Sequence, residues 1–142
     1  MHSFRKSKKG FTLIELMVVV AIIGVLALLG LRLYTGQQQK AKNAIVKANA
    51  GTIQTLIQAE LADTTSSAVD AMVDDGTATG LFAKSGIHIP DGGAQIVNGT
   101  TGGTVGEVVV VYDATPGTEF FTINGNAFIT GDVYTTPLTA RK

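Results

Sequence analysis

The sequence predicts an α+β protein in which one long N-terminal helix packs against a C-terminal antiparallel sheet of about four strands. Three observations predict this class. Residues 11–31 are almost entirely apolar, and helix-forming residues continue without proline to about residue 62. The remainder is rich in glycine and threonine and holds short β-prone runs between turn residues. We therefore expect a basic segment (1–10), an apolar helical segment (11–31), an amphipathic helical segment (32–63) and a globular head (64–142).

The apolar segment has the properties of a membrane helix. Every residue from Leu16 to Leu31 is apolar or glycine, and the stretch from Phe11 to Leu31 carries one charge, that of Glu15. At 1.5 Å per residue this helix is about 31 Å long, the thickness of a bilayer core. The first ten residues include four basic ones, Arg5, Lys6, Lys8 and Lys9. The positive-inside rule then keeps the N-terminus in the cytoplasm while the rest of the chain crosses the membrane.

Glu15 is the unusual residue of this segment. An unpaired carboxylate in hydrocarbon costs several kcal/mol, so it indicates a function and a cationic partner, which the segment itself lacks. A cleavable secretory signal predicts a shorter apolar core that ends at a small-residue cleavage site, which this sequence does not have. A plain membrane anchor fits the length but gives no reason for the carboxylate.

The helix is predicted to continue from Phe11 to about Ala62, with an amphipathic second half. Its apolar stripe recurs at steps of three and four residues, which predicts the face that contacts the head. The stripe comprises Ile45, Ala48, Thr52, Leu56 and Ala59, widened by Ile53, Ile57 and Leu61.

The head is predicted to start with a short helix from Ser66 to Asp75. An edge segment follows around Ile87, Ile89 and Pro90, and Asn124-Gly125 predicts a tight hairpin turn. The predicted strands are Ala94–Val97, Glu107–Tyr112, Glu119–Ile123, Ala127–Thr130 and Asp132–Thr135. Because the chain has no cysteine, strand pairing and the docking of Val133, Tyr134 and Leu138 must hold the segment from Gly131 to Lys142.

Composition argues against several kinds of chemistry. With no cysteine and two histidines, we expect no disulfide and no thiolate or histidine zinc site, and we predict no other metal and no cofactor. Lys and Arg together number 11, and so do Asp and Glu. Because four of the basic residues lie in the first ten, the rest of the chain is mildly acidic, and no nucleic-acid partner is expected.

Ser85, His88 and Asp91 crowd one loop, whereas triad members converge from distant segments, so no enzyme is predicted. Asn98 matches an N-glycosylation sequon, with a simple turn as the alternative.

A longer motif carries a family resemblance. The run Lys8-Lys9-Gly10-Phe11-Thr12-Leu13-Ile14-Glu15-Leu16, followed by the apolar segment, resembles the class III signal of type IV prepilins and type II secretion pseudopilins. The resemblance covers Arg5 to Leu31. It implies that a prepilin peptidase recognises the leader at Lys8, Lys9 and Gly10, cuts after Gly10 and N-methylates Phe11. It also implies that Glu15 meets the Phe11 amine of an incoming subunit and sets its axial register. Pairing of Glu15 within its own chain is the alternative.

The resemblance further implies a structural subunit of a type IV pilus. Such a subunit is a precursor in the bacterial inner membrane and then part of an extracellular helical filament, with a role in cell adhesion. Its partners would be copies of itself, the prepilin peptidase and the pilus assembly machinery. Two alternatives are a type II secretion pseudopilin and a membrane-anchored binding module that never polymerises.

Overall fold

The computed structural model describes residues 10–74, 80–94, 104–128, 134 and 136–142, and these residues adopt an α+β fold. Within these described ranges, three helices come first and five strands follow. The helices are α1 (Leu13–Asp63), α2 (Ser66–Asp74) and α3 (Leu81–Ser85). The strands are β1 (His88–Ile89), β2 (Gly93–Ala94), β3 (Val108–Asp113), β4 (Phe120–Gly125) and β5 (Leu138–Arg141). The chain up to Gln37 and the chain from Gln38 onward form two compact units, and α1 contributes to both.

The two predicted helices lie where the sequence placed them, within a residue or two. α1 is continuous over 51 residues, and its end is marked by the Thr64 hydroxyl, which donates to the Glu60 carbonyl at 2.8 Å. Thr65 then caps α2, because its Oγ1 accepts a hydrogen bond from the Ala68 N–H at 3.3 Å. These boundaries depend on local residues, which is why the sequence could predict them.

The predicted head-contacting stripe on α1 is partly wrong. The buried residues of α1 are Val46, Ala50, Ile53, Ile57 and Leu61. The three widening residues therefore lie in the core as expected, whereas Ile45, Ala48, Thr52 and Ala59 are exposed and Leu56 is half-buried. Two stripes with the same helical period lie on opposite faces of α1, and the head covers the one with the larger aliphatic side chains.

The main sheet has the order β3-β4-β5 with both pairs antiparallel. Side chains along each strand point alternately inward and outward. The inward side chains of Val110, Phe121, Ile123 and Ala140 are at most 1% exposed. They form one core with the buried face of α1, and Tyr112 stacks on Phe121 with ring centres 4.8 Å apart. The predicted packing of an antiparallel sheet on the helix is confirmed, with three described strands in this sheet.

The predicted hairpin turn at Asn124-Gly125 is wrong. Both residues continue β4, in which Asn124 pairs with Val109 and Gly125 pairs with Val108. The turn between β3 and β4 lies instead at residues 115–118, where the Thr118 N–H donates to the Thr115 carbonyl at 3.0 Å. Pro116 followed by Gly117, with φ of +85°, suits a type II turn. Long-range pairing with β3 therefore overrides the local Asn-Gly preference.

The remaining strand predictions have mixed outcomes. The runs 107–112 and 119–123 correspond to β3 and β4, and the edge segment corresponds to β1, which pairs with β2. Of the run 94–97 only Ala94 is a described strand residue, and of the run 127–130 the two described residues, Ala127 and Phe128, are not in a strand. The run 132–135 and Val133 lie outside the described residues except for Tyr134. β5 was not predicted as a strand, although Tyr134 and Leu138 pack against the core as expected.

Polar side chains on α1 attach the head segments to the helix. The Asn43 Oδ1 accepts from the Phe128 N–H at 2.8 Å, and the Asn49 Nδ2 donates to the His88 carbonyl at 2.9 Å. The Gln54 Nε2 donates to the Thr139 carbonyl of β5 at 2.8 Å. Each amide therefore satisfies a backbone group far away in the sequence, in a chain that has no disulfide.

Candidate assembly site at the start of the long helix

The first turn of α1 is closed by Thr12 and Glu15. The Glu15 N–H donates to the Thr12 Oγ1 at 3.3 Å, and the Thr12 N–H donates back to the Glu15 Oε2 at 2.8 Å. The Thr12 hydroxyl also donates to the same carboxylate oxygen, at 2.7 Å. This reciprocal pattern is a capping box, which satisfies backbone donors that a helix start leaves without partners.

The capping role of Thr12 is not among the sequence predictions. The signal that could have found it is the spacing Thr-x-x-Glu directly before an apolar run. Glu15 has a structural task at the helix start in addition to any role in assembly.

Glu15 lies in an apolar surface. It lines a shallow groove of about 330 Å³ together with Phe11, Ile14, Val18 and Val19. Both hydrogen bonds from Thr12 converge on Oε2 of its carboxylate. Phe11, the expected site of N-methylation, is 87% exposed and also lines this groove. Phe11 and Glu15, the two residues predicted to set the register, therefore line the same groove.

The apolar residues that follow are exposed on every side of the helix. From Leu13 to Leu31 the large hydrophobic side chains retain between 47% and 77% of their accessible surface. Among the described residues, α1 is the one helix long and apolar enough to cross a membrane, and the most apolar stretch of it has no buried residues. A surface of this kind must be covered by lipid or by other apolar helices.

The other predicted site residues have separate outcomes. Gly10 is exposed, and a side chain added there would meet no atom within 4 Å. Lys8, Lys9 and the sequon residue Asn98 lie outside the described residues. The loop that holds Ser85, His88 and Asp91 does not join them: the Ser85 Oγ bonds the Phe82 carbonyl, a ring nitrogen of His88 bonds the Gly86 carbonyl, and Asp91 pairs with Lys42.

Comparisons with known proteins agree on the N-terminal segment. Residues 5–31 match the family described as the prokaryotic N-terminal methylation motif. The chain is 47% identical over 55 residues to the fimbrial protein EcpB of Eikenella corrodens, which is 39% of this chain and 35% of that protein. It is 43% identical over 56 residues to the type IV major fimbrial protein FimA of Dichelobacter nodosus (39% and 36%), and 42% identical over 55 residues to the type IV major alpha-pilin of Moraxella bovis (39% and 35%).

The similarity is confined to part of each protein. The chain spans about a third of the length of these curated relatives. No solved structure is significantly similar to it. The chain therefore carries the prokaryotic N-terminal methylation motif at residues 5–31 and is similar, over about two fifths of its length, to type IV fimbrial proteins.

Proposed function

We propose that this chain is the structural subunit of a type IV pilus filament. It is made as a precursor in the bacterial inner membrane, cut after Gly10 by a prepilin peptidase, N-methylated at Phe11 and polymerised through its N-terminal helix. The observation that supports the proposal best is that the methylation motif and the exposed apolar helix overlap in the sequence. The methylation motif at residues 5–31 coincides with the helix whose apolar side chains are exposed on every side.

The exposed helix surface supports polymerisation. Apolar patches of this extent are rare on soluble monomers and mark contacts with membranes or with other proteins. Before assembly, lipid would cover the surface from Leu13 to Leu31. In the filament, sister helices would replace the lipid, so that the same side chains serve both states.

Glu15 supports the assignment of register. Cleavage after Gly10 creates an amine at Phe11, and opposite charges about 4 Å apart attract by about 4 kcal/mol at an effective dielectric constant of 20. An incoming subunit that brings its Phe11 amine to a Glu15 carboxylate would therefore be held at one axial position. We infer that Thr12 holds the Glu15 carboxylate at the helix start until that amine arrives.

The first experiment examines the native filaments. Cells are sheared, the extracellular fibres are collected, and the mass and N-terminus of any chain from this sequence are measured. Abundant chain that starts at N-methylated Phe11 supports the pilus subunit. Processed chain found only in membranes favours the pseudopilin, and unprocessed chain there favours the anchored binding module.

Two variants test the roles of single residues. Gly10→Leu should block cleavage without a local clash, because a Cβ at Gly10 meets nothing within 4 Å. A mature chain that starts at Phe11 in this variant would refute the assigned cleavage site. Glu15→Ala should still insert into the membrane but give no fibres, and normal fibres from it would refute the register role.

A further inference from the structure

Charges are segregated along the second part of α1. Between Glu15 and Glu60 the chain carries no acidic residue, although Lys40, Lys42 and Lys47 lie there. Residues 48–59 are uncharged, and carboxylates return at Glu60 and Asp63 in the last turn of the helix. The helix from Gln38 to Asp63 is therefore cationic at its start and anionic at its end.

Two of the three lysines face outward on one flank of the helix. The third lysine, Lys42, contacts residues of the head in the same chain. It pairs with Asp91, and its Nζ lies 5.0 Å from the centre of the Phe128 ring. Lys40 and Lys47 are exposed and lie about two helical turns apart on the same side. The Nζ of Lys47 lies 5.6 Å from the Tyr134 ring centre, within the range of a cation–π contact.

The carboxylates lie on the opposite flank. Asp63 is exposed and Glu60 is half-buried. At 3.6 residues per turn they lie about 140–160° around the helix from Lys40 and Lys47, and about 20–35 Å along it. These groups cannot pair with one another within one chain. The Lys142 Nζ donates to the Thr64 carbonyl near the acidic end and offsets its charge only in part.

The helix face between the two flanks is uncharged. A solvent-exposed helix face ordinarily carries charged residues, whereas this face carries alanine and threonine together with Ile45, and its five alanines would let a second helix approach closely. Its exposed residues are Ala41, Ala44, Ile45, Ala48, Thr52, Thr55, Ala59 and Ala62. The small face alone does not name a partner, but the complementary charges on its flanks match a second copy of the same chain.

We propose that this face of α1 is a contact surface between copies of the chain, in which Lys40 and Lys47 of one copy contact Glu60 and Asp63 of its neighbour. The two patches differ, so the contact is heterologous and leaves one free patch at each end of a growing assembly. It sets neighbouring copies about 20–35 Å apart along the helix direction. The inference rests on the proposed function, because it assumes that the chain polymerises.

Zero-length cross-linking tests the contact on the native filament. A carbodiimide joins a lysine amine to a carboxylate only where the two are in contact, and mass spectrometry identifies the joined peptides. The Lys42–Asp91 pair within one chain is the internal positive control. We expect additional links from Lys40 or Lys47 to Glu60 or Asp63. Recovery of the Lys42–Asp91 link without any of these overturns the proposal.

Charge reversal tests it a second time. The double variant Lys40→Glu with Lys47→Glu, and the double variant Glu60→Lys with Asp63→Lys, should each lower filament yield about tenfold, because like charges then face each other. The combined fourfold variant should return the yield to within about twofold of the unmodified chain. Lys84→Glu, on the exposed side of α3, is the control for a changed net charge.

The outcomes separate the two proposals. If the unmodified chain forms no filaments, the proposed function fails and this inference fails with it. If the unmodified chain forms filaments and both reversed variants match its yield, the contact surface is refuted while the pilus function stands. Near-ultraviolet circular dichroism of the tyrosines confirms that each variant keeps its head folded.

Discussion

The two parts of α1 contain similar aliphatic side chains but bury them differently. Up to Gln37, leucine, isoleucine and valine are exposed all round the helix, whereas from Gln38 onward one face is covered by the head. Ile23 is 59% exposed and Ile53 is fully buried, although both lie on the same helix. The second part therefore stabilises the folded head, while the first part has apolar surface that the described residues leave uncovered.

The largest expected effect is on the core of the head. Ile53→Ala should lower the free energy of unfolding by about 2–5 kcal/mol, because it removes buried methyl groups and leaves a cavity. Ile23→Ala, the matched change on the exposed part, should alter it by no more than about 0.5 kcal/mol. Denaturant unfolding of the full chain in detergent micelles, followed by tyrosine circular dichroism, measures both. Equal losses of unfolding free energy in the two variants would contradict the different roles of the two parts of α1.

A smaller effect is expected from the amide side chains that attach the head. Gln54→Ala should cost about 0.5–1.5 kcal/mol, because the exposed Thr139 carbonyl of β5 exchanges its donor on the helix for water. Gln58→Ala, one turn further along at an exposed position, should change stability by no more than about 0.5 kcal/mol. The same unfolding measurement compares them. A cost for Gln58→Ala equal to that of Gln54→Ala would show that the loss does not come from the bond to β5, since alanine itself favours the helix.

The sequence could predict the features that depend on local residues, but not those that depend on long-range packing. The bounds of α1 and α2 depend on composition and local caps, and they were predicted within two residues. Which of two apolar stripes on α1 the head covers depends on the sheet, and the sequence gives only their period. Likewise Asn124-Gly125 has a strong local turn preference, but its pairing with β3 decides its conformation.

The candidate site divides in the same way. Gly10, Phe11 and Glu15 could be identified because they belong to one short contiguous motif. The capping role of Thr12 is equally local, and its Thr-x-x-Glu spacing was available in the sequence. The hydrogen bond between Asn43 and Phe128 joins residues 85 positions apart, and no local sequence pattern predicts it.

The next prediction concerns the hydrogen bonds that cap the start of α1. Thr12→Ala should weaken the start of α1 by about 1 kcal/mol, since the Glu15 N–H loses its side-chain acceptor. Amide hydrogen exchange at Glu15 in micelles should then be about five times faster. Thr12→Ser should restore slow exchange. Thr35→Ala removes only a hydroxyl that bonds the Arg32 carbonyl within the helix, so it should leave exchange at the helix start unchanged.

The smallest effect concerns a carboxylate of the head that has the same kind of partner as Glu15. The Asp113 Oδ1 accepts from the Oγ1 and the N–H of Thr115, at 2.6 and 2.9 Å, and these bonds hold the pKa of the Asp113 carboxyl below its ordinary value. A pKa lower in the folded than in the unfolded chain stabilises the fold above the unfolded value of about 3.9, and this stabilisation is lost as pH falls through the folded value. The difference in Tm between the unmodified chain and Asp113→Asn should therefore be constant from about pH 5 to 8 and shrink below about pH 4. Asp63→Asn, which removes an exposed charge without these bonds, is the control, and an equal pH dependence in both variants would show that loss of charge alone is responsible.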